Sequence, residues 1–182
     1  MRRIRVAFGS DPVHVRDLAE IIGVLYGDRM LVRVHRQAHL PLLEGTDWSG
    51  RSIQHFSMRM ASALNQRPVN LRVGDAVAVL VENHMALLPL CLAIWRAGGI
   101  VVPLNDKLKP AEVAHILENS KARVVIGSSR TFEKSVGDRT HHVGVDSWIQ
   151  TDFCSDDGGF MNLHGLMEDC GEPVLDAEVV SD

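Results

Sequence analysis

The stretch that decides the fold is "LRVGDAVAVLVENHMALLPLCLAIWRAGGIVVPLN", residues 71–105, the densest apolar segment of a chain of 182 residues. Ala76 to Val81 is a continuous apolar run, which is typical of a β-strand covered by helices on both faces. The segment around Leu87 to Ala97 is apolar nearly all round, with Pro89 in its first turn. It predicts a helix enclosed between other elements. The stretch therefore begins with a buried strand and a buried helix.

Gly98 and Gly99 end this helix, and Ile100 to Val102 predict a second strand. A strand, a helix and a further strand form the unit from which nucleotide-binding α/β folds are built. Neither glycine-rich phosphate-loop pattern, G-x-G-x-x-G or G-x-x-x-x-G-K-[ST], occurs in the sequence. The turn after the first strand instead contains Glu82, Asn83 and His84.

The same pattern continues downstream. Pro110 opens another helix, Arg123 to Ile126 predicts a third strand, and His142 to Val145 predicts a fourth. Repeated strand–helix–strand units with short links imply parallel strands, because each crossover returns the chain to the same end of the sheet. The sequence therefore predicts an α/β fold: a doubly wound, mostly parallel sheet with helices on both faces.

Ahead of this unit, the sequence predicts a small N-terminal helix and a β-hairpin. The helix covers His14 to Leu25, with Gly27 as its stop. The hairpin pairs "LVRVHR", residues 31–36, with "HLPLLEG", residues 39–45. A further helix covers about Ser52 to Gln66.

These patterns divide the chain into three parts. Residues 1–47 hold the N-terminal helix and hairpin, residues 48–150 hold the α/β subdomain, and residues 151–182 form an irregular acidic tail. A short helix around Met161 to Met167 is the only periodic segment of that tail.

Composition excludes several functions. The net charge of −4 gives no electrostatic argument for nucleic acid. The first residues lack the long apolar core of a signal peptide, and the most apolar helix is far short of the roughly 20 residues that span a bilayer. The three cysteines, an odd number without metal-ligand spacing, predict free thiols in a reducing compartment. Cytoplasm is therefore the expected location.

The residues that carry chemistry form no catalytic constellation. His141 and His142 are adjacent, so in a strand their side chains point apart and do not share a metal. His115 is interpreted as a solvent-facing residue rather than a base. Cys154 and Cys170 lack a second ligand at zinc spacing, and Cys91 is interpreted as a small apolar residue inside a helix. We predict no catalytic residue and no metal site, and the sequence leaves a cofactor-binding residue unknown.

One segment has two interpretations. "GSSR", Gly127 to Arg130, follows a strand end, where ligands bind in open α/β sheets. Its backbone amides and Arg130 could hold an anion there. Alternatively, it is a Gly-Ser turn that caps the next helix, and general turn chemistry favours this second interpretation.

The stretch also resembles a known family. "LRVGDAVAVLVEN" and "LAIWRAGGIVVPLNDKLKPAEVAHILENSKARVVIG" resemble the N-terminal subdomain of adenylate-forming ligases (AMP-dependent acyl-CoA synthetases), notably the fatty acyl-CoA ligases. The resemblance covers Asp17 to about Val145, and after that nothing aligns. The matching residues are Gly74, Asp75, Asn83, Arg96, Ala97, Gly98, Gly99, Val102, Pro103, Leu104, Asn105, Glu112, Ile116, Leu117 and Ser120.

The resemblance implies what the full enzyme does. Family members use ATP and magnesium to convert a carboxylic acid, fatty or aryl, to an acyl-adenylate, and then pass the acyl group to coenzyme A. The family's ATP loop ends in Pro-Lys-Gly and lies further along the chain than "DAEVVSD", the last residues here. We therefore expect an N-terminal fragment or short form that holds no cofactor itself and is inactive alone.

Two alternatives stay open. A non-catalytic module could use the same fold to bind or scaffold a partner, and a small independent nucleotide-binding protein is a weaker alternative because no phosphate loop exists. The acyl substrate is not read from the sequence, and neither is the oligomeric state, for which a homodimer is one alternative. The coding sequence after Asp182 would discriminate: a loop ending in Pro-Lys-Gly indicates an enzyme, and a stop codon favours the module.

Overall fold

A computed structural model of the chain describes residues 13–33, 47–81, 87–138, 142, 144–152 and 159–170. The strands in these ranges are β1 (Met30–Arg33), β2 (Asp47–Ser49), β3 (Ala76–Leu80), β4 (Ile100–Pro103), β5 (Val124–Gly127), β6 (Ser147–Gln150) and β7 (Met161–Asn162). The α-helices are α1 (Leu18–Tyr26), α2 (Gly50–Asn65), α3 (Leu87–Arg96), α4 (Pro110–Ser120), α5 (Ser129–Ser135) and α6 (Leu163–Glu168), and a 3-10 turn, Val15–Asp17, precedes α1.

One five-stranded sheet organises the chain. Its order is β4-β3-β5-β6-β7, and every neighbouring pair is parallel. From β3 the chain steps outward to β4 and then back past β3 to β5. Because crossovers between parallel strands are right-handed, these opposite steps place α3 on one face and α4 on the other. The predicted doubly wound α/β class is confirmed.

Alternate side chains of the strands fill two separate cores. Val77 and Val79 of β3 pack in the larger core with residues of α1, α2, α3 and α6. Ala78 and Leu80 pack in the smaller core with residues of α4 and α5. Full burial of one aliphatic side chain the size of valine or leucine stabilises the folded state by about 1.5 to 3 kcal/mol. The continuous apolar run of the sequence is thus explained by burial on both faces.

Local sequence signals set most helix ends. α1 ends at Gly27, whose positive φ of 49° a residue with a side chain rarely adopts. α2 begins after Ser49, whose hydroxyl accepts a 3.1 Å hydrogen bond from the Ser52 amide. In α4, Pro110 lies in the first turn and the Glu112 carboxylate accepts a 2.8 Å bond from the N-cap backbone. These three helices confirm the sequence prediction to within a few residues.

The fourth strand was predicted at the wrong place. His142 to Val145 was expected to form it, but β6 covers Ser147–Gln150 instead. Gly144 adopts a positive φ of 105°, which belongs to a turn rather than a strand. Both polar ends of β6 are buried, Ser147 at 4% exposure and Gln150 at 6%. Because those buried positions are polar, β6 lacks the continuous apolar run that marks β3.

The acidic tail contains more structure than the sequence predicts. β7 pairs with β6 through Ile149–Met161 and Gln150–Asn162, and α6 follows it directly. The predicted short helix at Met161 to Met167 is therefore present, but its first two residues belong to a strand. The Arg59 guanidinium of α2 donates a 2.7 Å hydrogen bond to the Met167 carbonyl, which ties the end of α6 to the N-terminal half.

The N-terminal hairpin is a two-stranded antiparallel sheet. β1 pairs with β2, and Arg33 forms an ion pair with Asp47 at 2.8 Å across the two strands. The predicted partner segment, residues 39–45, lies outside the described residues. The division of the chain at residues 47 and 150 stays a prediction.

The α3 helix is less enclosed than its composition predicts. Leu90, Leu92, Ala93 and Ile94 are buried, but Leu88 is 45% exposed and Cys91 is only half-buried. α3 therefore packs one face against the core and leaves the other face at the surface. No helix in the described part of the chain is long and apolar enough to cross a membrane.

We predict opposite effects from two Gly→Ala substitutions. In Gly127→Ala the new Cβ would lie 2.5 Å from a Phe132 ring carbon and 2.9 Å from the Leu80 carbonyl oxygen, whereas Gly165 in α6 has open space around it. Overpacking at Gly127 should cost about 1 to 3 kcal/mol of unfolding free energy. Gly165→Ala should add about 0.5 kcal/mol because Gly is a poor helix former. Urea unfolding of both variants measures this, and equal midpoints would contradict the packing.

Candidate functional site

The candidate site is the edge of the sheet where β3, β5 and β6 end. Strand order reverses between β3 and β5, because the chain leaves β3 for β4 on one side and returns to β5 on the other. Ligands of open α/β sheets bind in the crevice at such a reversal. Gly127 and Ser128 follow β5 at this point, and Val81 follows β3. The turn with Glu82, Asn83 and His84, expected in place of a phosphate loop, lies outside the described residues.

The "GSSR" segment caps a helix. Ser128 is the N-cap of α5: its hydroxyl accepts a 3.2 Å bond from the Thr131 amide, and its own amide donates to the Thr131 hydroxyl at 2.9 Å. Thr131 is buried, and its hydroxyl donates a 2.7 Å bond to the Leu80 carbonyl at the end of β3. The capping interpretation is therefore confirmed, and it ties α5 to the central strand.

The anion at this helix end is a side chain of the protein itself. The Asp152 carboxylate accepts bonds from the Ser129 amide at 2.9 Å and from the Ser129 hydroxyl at 2.7 Å. A carboxylate at a helix N-terminus is stabilised by the partial positive charge of the first turn. The Asn162 side chain donates a 3.3 Å bond to the Asp152 carbonyl. The edge is thus closed by a chain of internal bonds from α5 to β7.

This closure was not visible in the sequence. Ser129 and Asp152 are 23 residues apart and belong to different crossover units. The only signal was position, since both follow strands whose carboxyl ends share one edge. Arg130, the other residue of the anion interpretation, is exposed on the first turn of α5.

The histidines in the described part of the chain do not form a metal site. His115 is exposed and its Nε2 lies 2.9 Å from the Asn119 side-chain amide, which confirms the solvent-facing interpretation. His142 is half-buried, 3.1 Å from the Val136 carbonyl and in edge contact with Trp148. His141 lies outside the described residues. Within the described ranges, no three His, Cys, Asp or Glu side chains are grouped to hold a metal ion.

Two thiols have unfavourable surroundings for nucleophilic chemistry. Burial raises the pKa of the Cys91 thiol. Burial, and then the negative charge of Asp169, raise the pKa of Cys170, whose Sγ lies 3.3 Å from the Gln66 side-chain oxygen. The thiolate is the reactive form, so a raised pKa lowers reactivity at neutral pH. Cys154 lies outside the described residues.

The opposite edge of the sheet is held by charge. The Arg123 guanidinium, just before β5, contacts Asp75 before β3 and Asp146 before β6, the latter at 2.6 Å. One cation therefore joins the amino-terminal ends of three neighbouring strands. Both carboxylates raise the pKa of Arg123, the Asp146 hydrogen bond most strongly. Sequence reasoning missed this cluster because its members are 23 and 48 residues from Arg123.

Comparison with known proteins identifies the class. Residues 30–164, well over half of the chain, match the family of AMP-binding enzymes. The chain belongs to the AMP-binding enzyme family.

Individual relatives agree with this assignment. A feruloyl-CoA synthase from Amycolatopsis is 43% identical over 82 residues, 45% of this chain and 16% of that protein. A long-chain-fatty-acid–CoA ligase from Archaeoglobus fulgidus has the same fold, with a TM-score of 0.73 at 20% identity, over 87% of this chain and 30% of that one. An anthranilate–CoA ligase in complex with anthranoyl-AMP gives a TM-score of 0.70 at 18% identity, over 88% and 28%. This chain thus spans less than a third of these relatives.

We predict that Asp152→Asn destabilises the fold. The substitution keeps the shape but removes the charge that the Ser129 amide and hydroxyl bind, so unfolding free energy should fall by about 1 to 2 kcal/mol. Glu133→Gln, an exposed charge change on the same helix, is the matched control and should stay within about 0.5 kcal/mol. Denaturant unfolding compares them. Equal stability of the two variants would mean that the carboxylate does not hold this edge.

We also predict that thiol reagents modify Cys91 more slowly than Cys154 in the folded protein. Cys91 is half-buried with a raised pKa, so little thiolate forms at neutral pH, and its rate should climb steadily as the pH is raised. Mass spectrometry after timed alkylation reads each site separately. Labelling in urea supplies the control, since both sites should then react alike, and equal rates in the native protein would count against the placement of Cys91.

Proposed function

We propose that this chain is the N-terminal part of an acyl-CoA synthetase-like enzyme. In that enzyme ATP activates a carboxylic acid to an acyl-adenylate, and the acyl group then forms a thioester with coenzyme A. The supporting observation is the match of residues 30–164 to the AMP-binding family. A cytoplasmic location and a role in fatty acid metabolism are parts of the same proposal.

The names of the relatives indicate the substrate class. One is a feruloyl-CoA synthase, one is a long-chain-fatty-acid–CoA ligase, and one was solved with anthranoyl-AMP, an acyl-adenylate. All three names combine an organic acid with CoA or AMP. We therefore propose a fatty or aromatic carboxylic acid as the substrate of the complete enzyme, with ATP, magnesium and CoA as its other reactants.

We propose that the described residues do not form an ATP·Mg site by themselves. Adenylation requires several preorganised donors and a metal to neutralise the triphosphate and the charge that develops on phosphorus. At the candidate edge, the amide and hydroxyl of Ser129 are committed to Asp152, and both oxygens of that carboxylate are occupied by Ser129. No step of the reaction is assigned to these residues. We propose that groups elsewhere in the complete enzyme perform the chemistry and that this chain is inactive alone.

The internal closure also favours the second candidate, a non-catalytic module that binds or scaffolds a partner. A sheet edge whose polar groups bond to one another is stable without a ligand. Such a module would keep the fold, and its stability would not depend on a bound nucleotide. The two candidates differ in one respect: the fragment should gain activity when the remainder of an enzyme is supplied, and the module should not.

We predict no ATP–pyrophosphate exchange by the 182-residue chain with any of a panel of fatty and aromatic acids. Removal of a single oxyanion-type donor commonly costs about 100- to 1,000-fold in rate, and here a whole set of donors is required. A complete acid–CoA ligase assayed in parallel shows that the conditions support exchange. Exchange above background that disappears in Arg130→Ala would overturn the prediction and assign a site beside "GSSR".

A further inference from the structure

A groove of about 680 Å³ opens at the amino-terminal end of the sheet, between β4 and the last turn of α4. Its walls include five apolar side chains: Ala76, Ile100, Val102, Leu117 and Ala122. Ile100 is 55% exposed, a large fraction for a β-branched residue in a strand. The groove exists because α4 carries the chain from β4 back to β5. β4 is an edge strand of the sheet, and all four of its residues are exposed or only partly buried.

The four charged side chains that line the groove, two acidic and two basic, sum to zero. Asp75 and Arg123 line it as an ion pair, and Arg123 is compensated further by Asp146. The two other charged residues, Glu118 and Lys121, are exposed near the end of α4, and neither side chain has a hydrogen-bond or ion-pair partner among the described residues. One free carboxylate and one free ammonium give no net preference for a cation or an anion. They do complement a surface that carries the same two charges in the opposite order.

The outer edge of β4 does not favour addition of another strand. The amides of Ile100 and Leu104 donate inward to β3, so the alternation of the ladder directs positions 101 and 103 outward. Position 103 is proline, which has no N–H to donate. β4 thus offers one outward donor, at Val101. A partner of this region must contact the exposed face of β4 rather than extend the sheet.

We propose that this groove is a self-association surface that binds a second copy of the chain about a two-fold axis. A two-fold contact is isologous: if one residue meets a second across the axis, the second also meets the first. Glu118 of each copy then lies opposite Lys121 of the other, and the two exposed Ile100 side chains are covered together. This arrangement pairs both free charges and buries the apolar wall with a single partner. It does not depend on ligase activity.

We expect a weak, concentration-dependent dimer, because the groove offers a partner only a few apolar side chains and two free charges. Interfaces below the standard size give transient association. Sedimentation velocity of the 182-residue chain across roughly 5 to 500 µM should show a monomer–dimer equilibrium. Because its charge pairs are partly solvated, association should weaken when salt is raised from about 50 to about 500 mM.

Charge reversal provides the decisive test. In a dimer of Glu118→Lys, two lysines face each other at both contacts across the axis. In a dimer of Lys121→Glu, two glutamates do so. Each variant alone should therefore associate at least about tenfold more weakly than the wild type. An equimolar mixture of the two variants restores opposite charges at both contacts. It should form a heterodimer with near wild-type affinity. Glu133→Lys, a reversal of an exposed glutamate on α5, is the control and should leave association unchanged.

A further variant tests the apolar part of the surface. Ile100→Ser should weaken association without changing its salt dependence, because the apolar contact is lost and the charges remain. Circular dichroism checks that each variant stays folded, which the exposure of the substituted side chains favours. A wild-type chain that stays monomeric throughout would overturn the proposal. So would a dimer that survives both reversals, or a mixture that forms no heterodimer.

Discussion

The whole structure depends on one constraint: a parallel sheet must be covered on both faces. Each crossover places a helix against the strands it connects, so the side chains of a central strand meet a core on either side. β3 satisfies this with Val77 and Val79 in the larger core and Ala78 and Leu80 in the smaller one. The positions of the helices follow from this constraint. α1, α2, α3 and α6 assemble against one face, and α4 and α5 against the other.

The two ends of the sheet are held by different interactions. At the carboxyl ends, the Thr131 hydroxyl donates to the Leu80 carbonyl, and the Ser129 hydroxyl donates to the Asp152 carboxylate. At the amino ends, Arg123 joins two aspartates across three strands. This chain therefore has the framework of an AMP-binding enzyme, and at the described part of the carboxyl edge Ser128, Ser129 and Thr131 bond to other groups of the chain itself.

The family match and the shared fold describe the scaffold of this chain, not a reaction site. This chain spans only 30% of the fatty-acid ligase. Preorganised charge around a triphosphate requires groups from several elements at once. This chain folds around its own core because helices cover both faces of its sheet.

The sequence by itself determined the class of fold, because burial on both faces leaves a direct trace: a continuous apolar run at Ala76 to Leu80, with glycines and prolines at the ends of helices. The Ser128 cap was also predictable, since a serine at a helix start bonds to a neighbour three residues away.

β6 was misplaced because two of its four buried residues are polar, and β7 was missed because its two residues are defined only by pairing with β6. The Asp152–Ser129 and Arg123–Asp146 contacts join residues 23 apart. Only the tertiary structure decided these contacts, because the sheet brings together ends of strands that the chain keeps separate.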